Sequence, residues 1–171
     1  PHHFTLTDAL CASYDPVYKV HPPLRTEADV AAVKAGLADG TIDAIATDHA
    51  PHTPDSKELP FDQAPPGMLG LETAYALANT ELDLEDEALV GLLSIVPAAI
   101  AGVGDRHGGP IQEGRPANLA IVDPNEAWTI DRGALASRST NTPYHGRQVR
   151  GRVRHTVFNG EPVVIDGEAT R

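Results

Sequence analysis

Residues 42 to 52, Ile-Asp-Ala-Ile-Ala-Thr-Asp-His-Ala-Pro-His, constrain the fold of this chain more than any other stretch. An apolar, β-forming run (Ile42, Ala44, Ile45, Ala46) stops abruptly at Asp48, His49 and His52. Pro51 keeps a strand from continuing, because proline has no N–H to give to a ladder. Polar groups just past the end of a buried strand are typical of the loop face of a (β/α) barrel, where the strands are packed core and the loops carry chemistry. The stretch therefore predicts a strand over 42–47 that delivers a site to a barrel mouth.

The flanking sequence fits that architecture. Thr26, then Asp29, then Val30, Val33 and Leu37 predict an N-capped helix ending near Gly40, a residue free to take the left-handed terminal conformation. Strands are expected at 4–6, with His2 and His3 on opposite faces, and at 18–20, ending at Pro22 and Pro23. After a proline-rich loop from Pro51 to Pro66, a helix is expected to start near Gly70 and run through Leu71, Ala74, Tyr75 and Ala78. Further helices are expected over 85–96 and, after Pro97, over 98–102. This order reads as the end of an α/β fold.

From Gly108 the pattern changes. Residues 118–122 form a short apolar run closed by Asp123-Pro124, residues 128–130 predict another strand, and Asn159-Gly160 stands between two β-prone segments as a hairpin turn. The division expected is 1–105 as barrel strands and helices and 106–171 as a small antiparallel β unit, with the boundary between Gly102 and Gly114.

Charge excludes one class of partner. The formal net charge is -11, and residues 1–105 hold 17 acidic against 4 basic side chains. Arg147, Arg150, Arg152 and Arg154 are spaced mostly by two, as on one face of a strand, and do not make the clustered basic face that nucleic acid requires. No apolar run approaches the ~20 residues of a membrane span. No leader is visible ahead of Pro1, and a single cysteine, Cys11, suits a reducing compartment, so the expectation is a cytoplasmic protein that binds neither membrane nor nucleic acid.

Each candidate site residue has an ordinary reading beside the functional one. Asp48 is a turn or cap residue, or a metal ligand that also exchanges a proton with metal-bound water. His52 is a surface imidazole or a substrate contact, and His49 is a packing group that orients its neighbours. His21 and Arg25 sit in a rigid Pro-Pro loop, where an ordered contact costs little entropy, although Arg25 paired with an acidic neighbour explains that residue equally well. Pro66, Gly67 and Gly70 leave main-chain groups unshielded for an amide or carboxylate ligand, or else they simply form a helix entry.

Four blocks then carry a resemblance in order: Pro1-His2-His3, Lys19 to Arg25, Ala46 to His52, and Ala64 to Glu72. With the tail segments Ala117 to Asp123, Asn141 to Gly146 and Thr156 to Gly167, the whole chain resembles the C-terminal portion of the bacterial-type dihydroorotases, in the amidohydrolase superfamily. The resemblance implies the C-terminal part of a metal-dependent (β/α)8 (TIM) barrel followed by a small antiparallel β domain. It implies an enzyme that interconverts dihydroorotate and N-carbamoyl-L-aspartate in pyrimidine synthesis with Zn2+, two ions per complete site. Asp48 would be metal ligand and general acid/base, and His52, His21, Pro66 and Gly67 would bind substrate. It leaves open a homo-oligomer, association with aspartate transcarbamoylase, another cyclic amidase (hydantoinase or allantoinase), and a non-catalytic scaffold. Two departures stand out: His21 occupies a position where the family carries asparagine, and the family's remaining metal ligands precede the first residue here. The 171 residues alone are expected to be inactive and, with barrel edges exposed, poorly stable.

Overall fold

Thr26 opens α1 (Glu27–Ala38) with the capping box anticipated for it. Its hydroxyl accepts the Asp29 N–H at 3.4 Å, and the Asp29 carboxylate takes the Thr26 N–H at 3.0 Å, so two donors without helical partners are satisfied reciprocally. Gly40 follows the helix at φ +79°, as expected. The computed structural model describes residues 1–170.

Ahead of α1 the two expected strands are absent. Residues 1–26 turn three times through 3-10 segments, His2–Phe4, Asp8–Ser13 and Pro16–Tyr18. A strand needs a neighbour to take its amides. Here local turns take them instead: Leu6 N–H bonds to His2 O at 3.0 Å and Lys19 N–H to Pro16 O at 3.0 Å. The same correction applies to 42–47, which forms no laddered strand. Ile42 N–H is drawn back to Gly36 O at 2.8 Å, Ile45 N–H bonds to Leu92 O at 2.8 Å, and the sole β-type pairing is a parallel bridge between His49 and Met68. Phe4, Leu6, Val20 and Ile45 of these segments are buried nonetheless, while Ile42 and Ala44 are half-buried and Ala46 is exposed.

The proline-rich loop contains one turn of helix, α2 (Pro54–Lys57), begun by the proline that suits that position. α3 (Ala74–Glu81) starts four residues later than Gly70. The Gly70 and Leu71 amides are spent on the His49 ring, which delays the helix. α4 (Asp86–Val90), a wide π turn (Gly91–Ile95) and α5 (Val96–Ile100) form one helical rod where two helices broken at Pro97 were expected. In the π turn Val96 N–H reaches back to Gly91 O, and Pro97, lacking an N–H, is accommodated in the first turn of α5.

The tail is a four-stranded antiparallel sheet in sequential order, β1 (Leu119–Thr129), β2 (Gln148–Phe158), β3 (Glu161–Ile165) and β4 (Glu168–Ala169). The two strands expected at 118–122 and 128–130 are one. Asp123-Pro124 does not close the strand but bulges it: the register with β2 jumps between Asp123 and Ala127, and the Asp123 carboxylate takes the Asn125 and Glu126 amides left over. Asn159 and Gly160 turn β2 into β3 with φ +51° and +83°, the double positive φ of a tight hairpin. Arg152 and Arg154 share one face of β2 and both pair with Glu126, at 3.3 and 3.1 Å.

Two apolar clusters meet at α3. Ala76 and Leu77 pack with Leu6, Val20, Leu24, Met68, Ile130, Tyr144 and Val149, while Ala78 and Leu82 pack with Phe4, Leu37, Ile45, Leu89 and Leu92. The first cluster draws on both halves of the chain, so the sheet and the helical region share a core. Glu81 adds a polar joint, accepting from Lys34 of α1 at 2.7 Å and from Arg147 just before β2. Burial raises the Glu81 carboxyl, but the Lys34 hydrogen bond and the charges of Arg147 and Lys34 outweigh it and hold the group below its usual range.

Candidate active site

Asp48 sits at the end of the 42–47 segment with φ +47°, a left-handed conformation that turns the chain sharply away from the segment's course. Its side chain is 58% exposed. His2 Nε2 lies 3.9 Å from Asp48 Oδ2, and the His2 side chain is 5% exposed. Burial is the largest influence on the His2 imidazole and holds it well below its usual range. His2 is therefore neutral at pH 7, and its contact with Asp48 is not an ion pair.

Residues 49–52 are then fixed from several sides. His49 Nδ1 accepts the amides of Gly70 and Leu71, both at 3.2 Å, which makes it the orienting group expected. Ala50 N–H bonds to Met68 O at 2.9 Å. His52 Nε2 lies 3.0 Å from Pro66 O. A carbonyl only accepts, so Nε2 carries the hydrogen, and Nδ1 is left as acceptor in the neutral ring and donor in the charged one.

Pro66 and Gly67 differ from the expectation of unshielded main-chain groups. Gly67 N–H donates to Lys19 O at 2.8 Å, and Gly67 O accepts from Lys57 Nζ at 3.0 Å and Asn141 Nδ2 at 3.3 Å. Pro66 O keeps one lone pair beyond the His52 bond. What Gly67 contributes is space: at φ +133°, a Cβ there would lie 2.6 Å from Ala50 Cβ and 2.8 Å from His52 Nε2. Lys57, half-buried, also holds Pro65 O at 3.0 Å, and burial lowers its ammonium's pKa.

Two expected contacts are not brought into the mouth. His21 is exposed, beside the cis His21-Pro22 bond, and makes no hydrogen bond or ion pair among the described residues. Arg25 is exposed and lies 3.8 Å from Asp29, the acidic pairing weighed for it above. Three further residues make contacts here that were not assigned to them from sequence, although His2 and Asn141 stand in the segments that carry the resemblance. His2 meets Asp48 across 46 positions, Lys57 acts on a loop beyond it, and Asn141 reaches back from the tail to Ala50, His52 and Gly67.

As a metal site the arrangement is partial. Asp48 and neutral His2 are suitable donors, but catalytic zinc takes about three protein ligands. No group of three His, Cys, Asp or Glu able to hold a metal occurs among the described residues. Nor is any helix among them long and apolar enough to cross a membrane.

Comparison with known proteins adds a consistent set of matches. The amidohydrolase family model matches residues 19–163. The chain is 48% identical over 99% of its length to a dihydroorotase of Streptomyces coelicolor (strain ATCC BAA-471 / A3(2) / M145), and 47% identical over 94% to one of Caldanaerobacter subterraneus subsp. tengcongensis. It spans 40% and 37% of those relatives, so about two-fifths of the length of the curated proteins it matches. Among solved structures, an L-hydantoinase (dihydropyrimidinase) from Arthrobacter aurescens superposes on all of this chain with a TM-score of 0.89 at 28% identity, and a D-hydantoinase (dihydropyrimidinase) from Thermus sp. on 99% of it with 0.87 at 26%. In each case 39% of the solved chain is covered.

Proposed function

The chain belongs to the amidohydrolase family, and from that premise we propose that it is the C-terminal barrel portion and β unit of a dihydroorotase. The reaction is the reversible hydrolysis of a cyclic amide. Water adds across the ring C–N bond of dihydroorotate, a C–O bond forms, the amide nitrogen leaves with a proton, and N-carbamoyl-L-aspartate results. The observation that carries this reading is the 48% identity to a dihydroorotase, well above the 28% to a hydantoinase of nearly identical backbone course.

Asp48 is the residue we assign to proton transfer, and in the whole protein it would supply one carboxylate ligand to zinc, the ion that polarises the scissile carbonyl and acidifies water in such sites. Its exposure leaves the carboxylate accessible to a proton donor on the substrate side. His52, with its ring oriented by Pro66 O, meets the substrate through Nδ1. Gly67 takes part by leaving room for that ring. His21 is exposed and is the remaining side chain assigned to substrate binding. The division near residue 105 marks where barrel gives way to β unit, although the two share one core.

The whole protein, assayed beside hydantoin and allantoin, should turn over dihydroorotate best. Asp48→Asn should lower that rate on the order of 1,000-fold and leave stability within about 0.5 kcal/mol, because the side chain is exposed. A preference for hydantoin, or an Asp48→Asn enzyme within tenfold of wild type, would overturn the reading.

A further inference from the structure

The His52 loop and the Gly67 loop come from separate stretches of the chain, and one side chain from a third stretch touches both. Asn141 is 7% exposed. Its Oδ1 accepts the His52 N–H at 3.2 Å, and its Nδ2 donates to Ala50 O at 2.9 Å and to Gly67 O at 3.3 Å. Two carbonyl oxygens need a donor, so the orientation of the carboxamide is dictated by its partners. The Asn141 carbonyl also accepts the Leu69 N–H at 3.0 Å, and Glu72 takes the amides of Ala136 and Ser137 at 2.8 and 3.0 Å. The 131–146 segment is thus seamed to the mouth, with Asn141 at the deepest stitch.

We propose that Asn141 is a positioning residue that fixes the 50–52 and 66–68 loops against each other, so that His52 and Pro66 present one preformed substrate subsite. Only a carboxamide carries one acceptor and a two-hydrogen donor on a single rigid plane. A carboxylate of the same shape would take the His52 amide but set its other oxygen against two carbonyls, and an alanine would make none of the three bonds. All three partners are main chain, so Asn141 acts on loop geometry. A subsite ordered in advance spends less binding energy on ordering, and its loss falls on KM more than on kcat. Lys57 serves as an internal contrast, because its ammonium holds Pro65 O and Gly67 O but no atom of the His52 loop.

The kinetic half of this inference rests on the dihydroorotase reading, while the structural half does not. In the whole metal-loaded protein, Asn141→Ala and Asn141→Asp should each raise KM for dihydroorotate at least tenfold with kcat within threefold. Amide hydrogen exchange at residues 50–52 and 67–69 should quicken at least tenfold, with β1 and β2 unchanged. Lys57→Met should quicken exchange at 67–69 only. KM within twofold of wild type, or a fall in kcat at constant KM, overturns the proposal, as does unchanged exchange at Ala50 and His52. If Asn141→Ala does not fold, the isosteric Asn141→Asp carries the same measurements. If wild type fails to hydrolyse dihydroorotate, the activity assignment falls by itself, and exchange at the two loops still decides the role of Asn141.

Discussion

The sheet of the tail and the mouth around Asp48 hold their backbones in opposite ways. In the sheet, β1 and β2 pair over most of their eleven residues, and a two-residue turn carries the chain into β3. Neighbours in sequence are neighbours in space. At the mouth, no ladder supports residues 42–48, which are held by single backbone bonds to Gly36 and Leu92, and the loops beyond them are tied by side chains, His49 on Gly70 and Leu71, Lys57 on Pro65 and Gly67, and Asn141 on three peptide groups. A ladder fixes one shape with little choice. Side-chain tethers fix a loop while leaving its remaining donors and acceptors for a ligand, which is why polar chemistry lives on such segments.

The contrast stands only if α3 binds the two regions into one unit, and the largest expected effect tests that. Leu77, with 0% exposure, packs in the cluster that joins the helical region to the sheet, so Leu77→Ala in the whole protein should cost about 2–5 kcal/mol in chemical denaturation. Loss of sheet and mouth signals at one midpoint would sharpen the comparison, and two well-separated midpoints would break it. Next comes the polar joint. Glu81→Gln should cost about 2 kcal/mol near neutral pH, because it leaves Lys34 and Arg147 without their half-buried partner. The Glu81 carboxyl is held below its ordinary 4.5, so its contribution is present above that value and is lost as pH falls through the folded one. The gap between wild type and Glu81→Gln should therefore close in acid, and a gap constant from pH 7 to pH 3 would contradict the assignment. The smallest effect belongs to the sheet alone. Gly160 has φ +83° and open space around a would-be Cβ, so Gly160→Ala should cost about 1 kcal/mol through backbone conformation only, leaving substrate affinity unchanged.

The same contrast explains which parts of this molecule were legible from residues alone. The α1 cap was legible because Thr26 and Asp29 are three positions apart and satisfy each other. The Asn159-Gly160 hairpin was legible because positive φ at both positions is a demand on residue type. The strands expected at 4–6, 18–20 and 42–47 failed for a different reason: alternation and β propensity report burial, and Phe4, Leu6, Val20 and Ile45 are indeed buried, but a ladder also needs a partner that these segments lack among the described residues. The single strand through Asp123-Pro124 was missed because proline ends a ladder locally without ending the strand. At the mouth, Asp48 and His52 were visible as a polar break after an apolar run. His2 and Asn141 stood in the blocks that carry the resemblance, but their contacts were not visible, since pairings across 46 and 91 positions leave no local pattern.

The left-handed backbone of Asp48 has a consequence for anyone who engineers this protein. An aspartate tolerates that conformation at a cost of roughly 1 kcal/mol, and a glycine would adopt it freely. A screen that rewards heat resistance alone should therefore enrich glycine at position 48, hardening the scaffold while deleting the carboxylate assigned to proton transfer.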